Sequence, residues 1–132
     1  MNTRRKSNKW CVYNTSYHII RCPKYRRKVL RWAISDRLKQ LLAEKADSLW
    51  IEIPILEVME DHVHLFVKSK PIYAPHYLVQ QFKWFTSRIL RQEFEELRRR
   101  LPTLWTRSYY IETVWHISEA TIKKYIQEQK NK

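Results

Sequence analysis

Glycine is missing altogether from this chain of 132 residues, although ordinary usage near 7% would supply roughly nine. Every backbone position that needs a positive φ must then fall to Asn or Asp, with Asn14, Asp47 and Asp61 the expected places, or be strained. Acidic residues are scarce too: 13 Asp and Glu face 26 Lys and Arg, leaving a formal charge of +13 and a pI near 10.0. That balance favours polyanionic partners, because each phosphate neutralised by Lys or Arg releases condensed counterions. Cysteine is limited to Cys11 and Cys22, too few to staple a secreted fold and without CxxC spacing. Two small buried thiols are a better reading than a zinc set of Cys11, His18 and Cys22. No apolar run spans a bilayer, and Met1 to Lys9 is polar and basic rather than a leader, so a cytoplasmic protein without membrane contact is expected.

Aromatic residues are plentiful at 14%, with tryptophan at positions 10, 32, 50, 84, 105 and 115, and they offer stacking platforms for bases. The length fits one domain over residues 1–132, with a single core.

Periodicity lays out the elements. Trp10 to Ile20 reads as a strand with Cys11, Tyr13, Thr15, Tyr17 and Ile19 on one face and His18 on the other. A basic loop from Arg21 to Lys28 follows and is the best local candidate for phosphate contact. Ser35 can cap a helix whose apolar positions Leu38, Leu41, Leu42, Ala46 and Leu49 recur at steps of three and four, ending near Ser48. Ile51 to Met59 and His62 to Val67 or Lys68 read as the two arms of a hairpin turning at Glu60-Asp61. Pro54 cannot donate to a ladder and belongs at an edge or a bulge. One long amphipathic helix is expected from Pro75 to Arg100, then a strand from Tyr109 to Trp115. Ser118 opens a last helix, Glu119 to Gln129. The pattern predicts an α+β fold with helices packed on an antiparallel sheet.

Chemistry concentrates at two places. On a strand, residues two apart point the same way, so His62 and His64 can both reach one ion while Val63 packs beneath. On a helix, residues four apart are neighbours, so Tyr125 and Gln129 share a face. If the two surfaces meet, they make a metal-assisted tyrosine nucleophile. Taken singly, a His-x-His pair is a weak signal, and an isolated Tyr more often packs its ring on a sheet. Two imidazoles suit Mn²⁺ or Zn²⁺, whereas a Gln carbonyl and phosphate oxygens also accept Mg²⁺. Three protein ligands leave coordination positions open, as catalysis requires. A phenol with a reference pKa near ~10 needs help to ionise, which Lys123, Lys124 and a metal-held phosphate could give. His18, His76 and His116 have no comparable pattern and read as structural or surface residues. Charge and position nominate Arg4, Arg5, Lys24, Tyr25, Arg26, Arg27, Lys83, Arg88, Arg107 and Lys124 for DNA contact.

Several stretches resemble, in family order, the TnpA transposases of the smallest prokaryotic insertion sequences, members of the single-tyrosine HUH group of single-strand DNA nucleases. They are Cys22-Pro23-Lys24-Tyr25-Arg26-Arg27-Lys28-Val29-Leu30, Leu56-Glu57-Val58-Met59-Glu60-Asp61-His62-Val63-His64-Leu65, Leu104-Trp105-Thr106-Arg107-Ser108-Tyr109-Tyr110, and Ser118 to Ile126 with Gln129. The resemblance implies a ferredoxin-like or RRM-like sheet with the HUH motif on a central strand. It implies His62, His64 and Gln129 as ligands of Mg²⁺ or Mn²⁺, and Tyr125 as the nucleophile. It further implies a homodimer in which the tyrosine helix of one subunit serves the histidines of the other. The substrate it implies is single-stranded DNA with hairpin ends, cut through a 5′-phosphotyrosine and rejoined.

Two rivals stand beside that expectation: a non-catalytic single-strand binding module, and a replication or conjugation nickase using the same chemistry. The chain departs from the family pattern where glycine is expected, notably at Trp84 and Trp115, with Trp50 and Trp32 similar cases. The joint glycine deficit and tryptophan surplus prompt the hypothesis that glycine codons are reassigned, mistranslated or replaced, so that indoles occupy glycine sites.

Overall fold

The computed structural model describes residues 6–7, 12–13, 15–114, 120, 124, 127 and 128. β1 (Lys6–Ser7) and β2 (Val12–Tyr13) form a short antiparallel ladder. β3 (Thr15–Arg21) leads into α1 (Trp32–Ser48), β4 (Glu52–Val58) and β5 (Val63–Ser69) form the expected hairpin, and α2 (Pro75–Glu93), α3 (Glu95–Arg100) and β6 (Tyr110–Val114) follow. The main sheet has the order β4-β5-β3-β6, every neighbouring pair antiparallel. This β-α-β-β-α-β arrangement is the ferredoxin-like form of an α+β fold, as expected, and β5 with the histidine motif is a central strand.

Strand alternation divides the sheet into two faces. Tyr17, Ile19, Val63, Leu65 and Val67 turn toward the helices and bury against Ile34, Leu38, Leu41 and Leu42 of α1 and Leu78, Val79, Phe82 and Leu90 of α2. The intervening residues His18, His64 and Phe66 take the other face, where Phe66 packs with Ile55 and Val114 in a small second cluster. Pro54 lies in edge strand β4, where the ladder shifts register between Glu52 and Ile55, as its missing donor requires.

Three expectations are corrected. α1 begins at Trp32, ahead of Ser35, and no side chain caps it. The long helix over 75–100 breaks at Phe94, whose φ of −119° and ψ of 98° are extended. A straight helix of that length would run about 39 Å, against about 23 Å for a seven-residue strand. The break instead lets Leu97, Leu101 and Leu104 join the core, while Arg91 and Arg98 donate to the carbonyls of Leu101, Arg91 and Gln92 around it.

The third correction concerns backbone strain. Among the described residues positive φ falls not on Asp47 or Asp61 but on Tyr25 (59°), Arg26 (53°), Trp32 (51°) and Trp50 (58°); Asn14 lies outside them. Trp50 follows α1, where the Ile51 N–H donates to the Ala46 carbonyl at 3.0 Å and the Trp50 N–H to the Asp47 carbonyl at 3.1 Å. These are the paired bonds of a Schellman terminus, and Trp50 holds its left-handed position, where glycine is the usual occupant. For an L-residue that conformation costs roughly 1–2 kcal/mol. The indoles of Trp32 and Trp50 are 79% and 81% exposed, so packing does not explain them. These two sites fit the glycine hypothesis. Trp84 lies inside α2 with its indole exposed, and no positive φ calls for glycine there. Trp115 lies outside the described residues.

Candidate metal and nucleic-acid site

The β4–β5 turn brings the histidines into place. Met59 N–H donates to the His62 carbonyl at 2.8 Å, which closes the hairpin just before β5 and sets His62 and His64 on one side of the strand. Their ring centroids lie 4.9 Å apart and the planes cross at 77°. His62 Nδ1 meets Asp61 Oδ1 at 2.7 Å, and the second Asp61 oxygen accepts from Arg26 Nε at 3.1 Å. His64 Nδ1 meets His18 Nε2 at 3.2 Å, and His18 Nδ1 meets Glu112 Oε1 at 3.1 Å. Tyr110 donates its hydroxyl to the other Glu112 oxygen at 2.8 Å. Each imidazole of the pair is thus tethered through Nδ1.

Proton affinities follow from these surroundings. Burial, with the neighbouring rings of His62 and His18, pushes His64 down to about 4, so it is neutral and its lone pair is available at neutral pH. Burial also lowers His18, although Glu112 opposes that effect. Burial would raise Asp61, but hydrogen bonds from His62 and Arg26 hold its carboxyl below the ordinary range. Metal-bound histidines usually have the other ring nitrogen engaged by an outer partner. With Asp61 on Nδ1 of His62 and His18 on Nδ1 of His64, the pair fits a divalent ion through the Nε2 atoms. Among the described residues no group of three or more His, Cys, Asp or Glu side chains could hold one, so a further donor must join the two histidines. Tyr125 and Gln129, expected to complete the site, lie outside the described residues; within the stretch expected to be the last helix, Ala120, Lys124, Gln127 and Glu128 are described and helical.

The nominated DNA contacts separate into groups. Lys24, Lys83 and Arg107 line one recess of about 290 Å³ with Thr103 and Trp105. Burial and the positive charges of Arg21 and Arg107 lower the Lys83 pKa. Arg88 and Lys83 border a second recess of about 430 Å³ with Gln80, Trp84, Ser87 and Arg91. Tyr25 and Arg27 are exposed, as is Lys124, whereas Arg26 is committed to Asp61. Arg4 and Arg5 lie outside the described residues.

Other readings change. Arg21 is not part of the basic loop: it ends β3, is 5% exposed, and donates to the Thr106 carbonyl at 2.7 Å beneath the Tyr109 ring. His76 Nδ1 meets the Tyr109 hydroxyl at 3.1 Å. His18 is fully buried and joins the histidine motif, which also removes it from the imagined zinc set. Cys22 is half-buried, and burial pushes its thiol up. Sequence alternation placed His18 opposite Ile19, but nothing in it announced that this face would carry His64.

A ferredoxin-like sheet with a histidine pair at the start of a central strand, in a chain of net charge +13, defines a small basic α+β protein. The profile of the family described as Transposase IS200 like matches residues 11–129. The chain is 36% identical over 129 residues to the ISDra2 transposase TnpA of Deinococcus radiodurans, covering 96% of this chain and 92% of that protein. It is 30% identical over 125 residues to the transposase for insertion sequence element IS200 of Salmonella typhimurium, covering 89% and 78%. A crystal structure of a Deinococcus radiodurans R1 protein described as a transposase superposes with a TM-score of 0.78 at 33% identity, over 94% of this chain and 97% of that one. The fold is shared with a REP-associated tyrosine transposase solved on a REP hairpin, at a TM-score of 0.60 and 11% identity, over 93% and 67%. The chain belongs to the IS200-like transposase family. It is a transposase, and DNA cleavage and strand transfer are the activity that membership implies. Among the described residues no helix is long and apolar enough to cross a membrane.

Proposed function

We propose that this chain cleaves and rejoins single-stranded DNA at insertion-sequence ends through a 5′-phosphotyrosine on Tyr125, with Mg²⁺ or Mn²⁺ held by His62, His64 and Gln129. The observation that carries the reading is the histidine pair, its ring centroids 4.9 Å apart, with each Nδ1 engaged and, among the described residues, no hydrogen bond to either Nε2. When bound, the ion would polarise the scissile phosphate and stabilise charge on the departing oxygen. Tyr125 attacks phosphorus in line, its phenolic oxygen forming the new P–O bond as the bond to the 3′ oxygen breaks. The proton lost by the phenol is balanced by the one gained by the released 3′ hydroxyl. The ester is conserved in the phosphotyrosine, so an incoming 3′ hydroxyl reverses the step without a nucleotide cofactor.

Lys24, Lys83 and Arg107 around one recess support backbone phosphate binding, and the hairpin held by the REP-associated transposase supports hairpin-bearing strands as substrate. One tyrosine per subunit holds one DNA end, so exchanging two ends calls for a homodimer with shared active sites. Incubation with hairpin-bearing single strands and Mn²⁺ should give a covalent protein–DNA band that Tyr125→Phe abolishes and His62→Ala suppresses. A band that survives Tyr125→Phe excludes that nucleophile, and binding without cleavage by the unaltered chain favours a non-catalytic module.

A further inference from the structure

The cross-strand register that builds the sheet also builds a second support for the histidine motif. Ile20 lies opposite His64 and His18 opposite Phe66, so His18 and His64 share a face as diagonal neighbours, within reach of one another. His18 is fully buried, its ring stacked on Phe66 at 4.3 Å with an interplanar angle of 2°. It has no room to turn. On its far side Glu112 accepts from Nδ1 at 3.1 Å, and a carboxylate can only accept there. That contact fixes the proton of a neutral His18 on Nδ1 and leaves Nε2 as an acceptor. His64 Nδ1, 3.2 Å away, must then be the donor, which leaves the His64 lone pair on Nε2.

We propose that His18, anchored by Glu112, is the positioning residue that sets the tautomer and ring rotation of His64 for metal binding, the counterpart on β3 of Asp61 behind His62. This rests on the metal-site reading above. The two supports differ in kind: His62 is backed directly by a carboxylate that also holds exposed Arg26. His64 is backed by a carboxylate through an intervening imidazole. Because Glu112 stands on β6 and His18 on β3, the site is locked only when three strands are paired.

Mn²⁺ affinity of the full chain, read from the spectrum of free Mn²⁺, tests the inference together with the imidazole ¹⁵N shifts of His64 in metal-free protein. His18→Leu should weaken Mn²⁺ by about 10- to 100-fold, the usual cost of losing an outer partner of a ligating histidine. His18→Gln, whose carbonyl can still accept from Nδ1–H, should recover much of that loss. The unaltered protein should show the His64 proton on Nδ1, and His18→Leu should move it toward Nε2. Mn²⁺ binding by His18→Leu as tight as that of the parent, or a parent His64 protonated on Nε2, overturns the proposal. Should His18→Leu fail to fold, Glu112→Ala, at a side chain 42% exposed, carries the same test: unchanged affinity and tautomer overturn it. A parent chain that binds no Mn²⁺, or a His64→Ala variant that binds as well as the parent, instead refutes the metal site itself.

Discussion

Along β5, Val63, Leu65 and Val67 turn toward α1 and α2, while His64, Phe66 and Lys68 turn away. The first set joins the main core. The second shares its face with His18 and Glu112 and carries the ligand geometry. All seven strand residues are buried, so exposure does not separate them; partners do. A strand buried on both faces can stabilise with one and do chemistry with the other, and each should be breakable without the other.

His64→Ala should make the largest difference, reducing DNA cleavage by more than the roughly 100-fold expected from losing an outer partner, while circular dichroism stays unchanged. Leu38→Ala on the helical side should do the opposite. Its side chain is fully buried, and truncation should cost about 2–5 kcal/mol in denaturant unfolding, with Mn²⁺ affinity of the folded fraction retained. Acid should separate the faces as well. His64 in the folded chain titrates at about 4, below its unfolded value near ~6.5, so between those values the unfolded chain binds the extra proton. The stability that His64 contributes to the metal-free protein is then complete above pH ~6.5 and is lost as the pH drops toward ~4. His64→Leu should flatten that slope, and Leu38→Ala should only lower it. The smallest effect is expected away from both faces: Trp50→Gly should raise stability by roughly 1 kcal/mol by relieving the left-handed strain at the end of α1. Intact-mass measurement of the protein from its own cells tests whether glycine already stands at positions 32 and 50.

Much of this was legible in the residues. Apolar spacing located α1, the hairpin and α2, and Pro54 announced an edge. The break at Phe94 was not legible because Leu90, Phe94, Leu97 and Leu101 continue the helical stripe, and only the finite width of the sheet makes the chain turn. The early start of α1 at Trp32 was hidden because it uses a positive φ that no local preference of tryptophan suggests. Strand alternation alone put His62 and His64 on one side of the chain, whereas their reading as metal ligands came from the family resemblance. Arg26 looked like a phosphate ligand by its charge, and its engagement by Asp61 comes from packing across 35 residues.

What the sequence determined by itself is therefore what short-range geometry can enforce: two histidines on one side of a strand, amphipathic helices of the right period, and a charge suited to nucleic acid. Tertiary structure decided which strand lies beside β5 and in what register. That choice brings His18 to His64 across 46 residues and Glu112 to His18 across 94. Such contacts depend on long-range pairing, in which a shift of one residue would send every side chain of β3 to the opposite face.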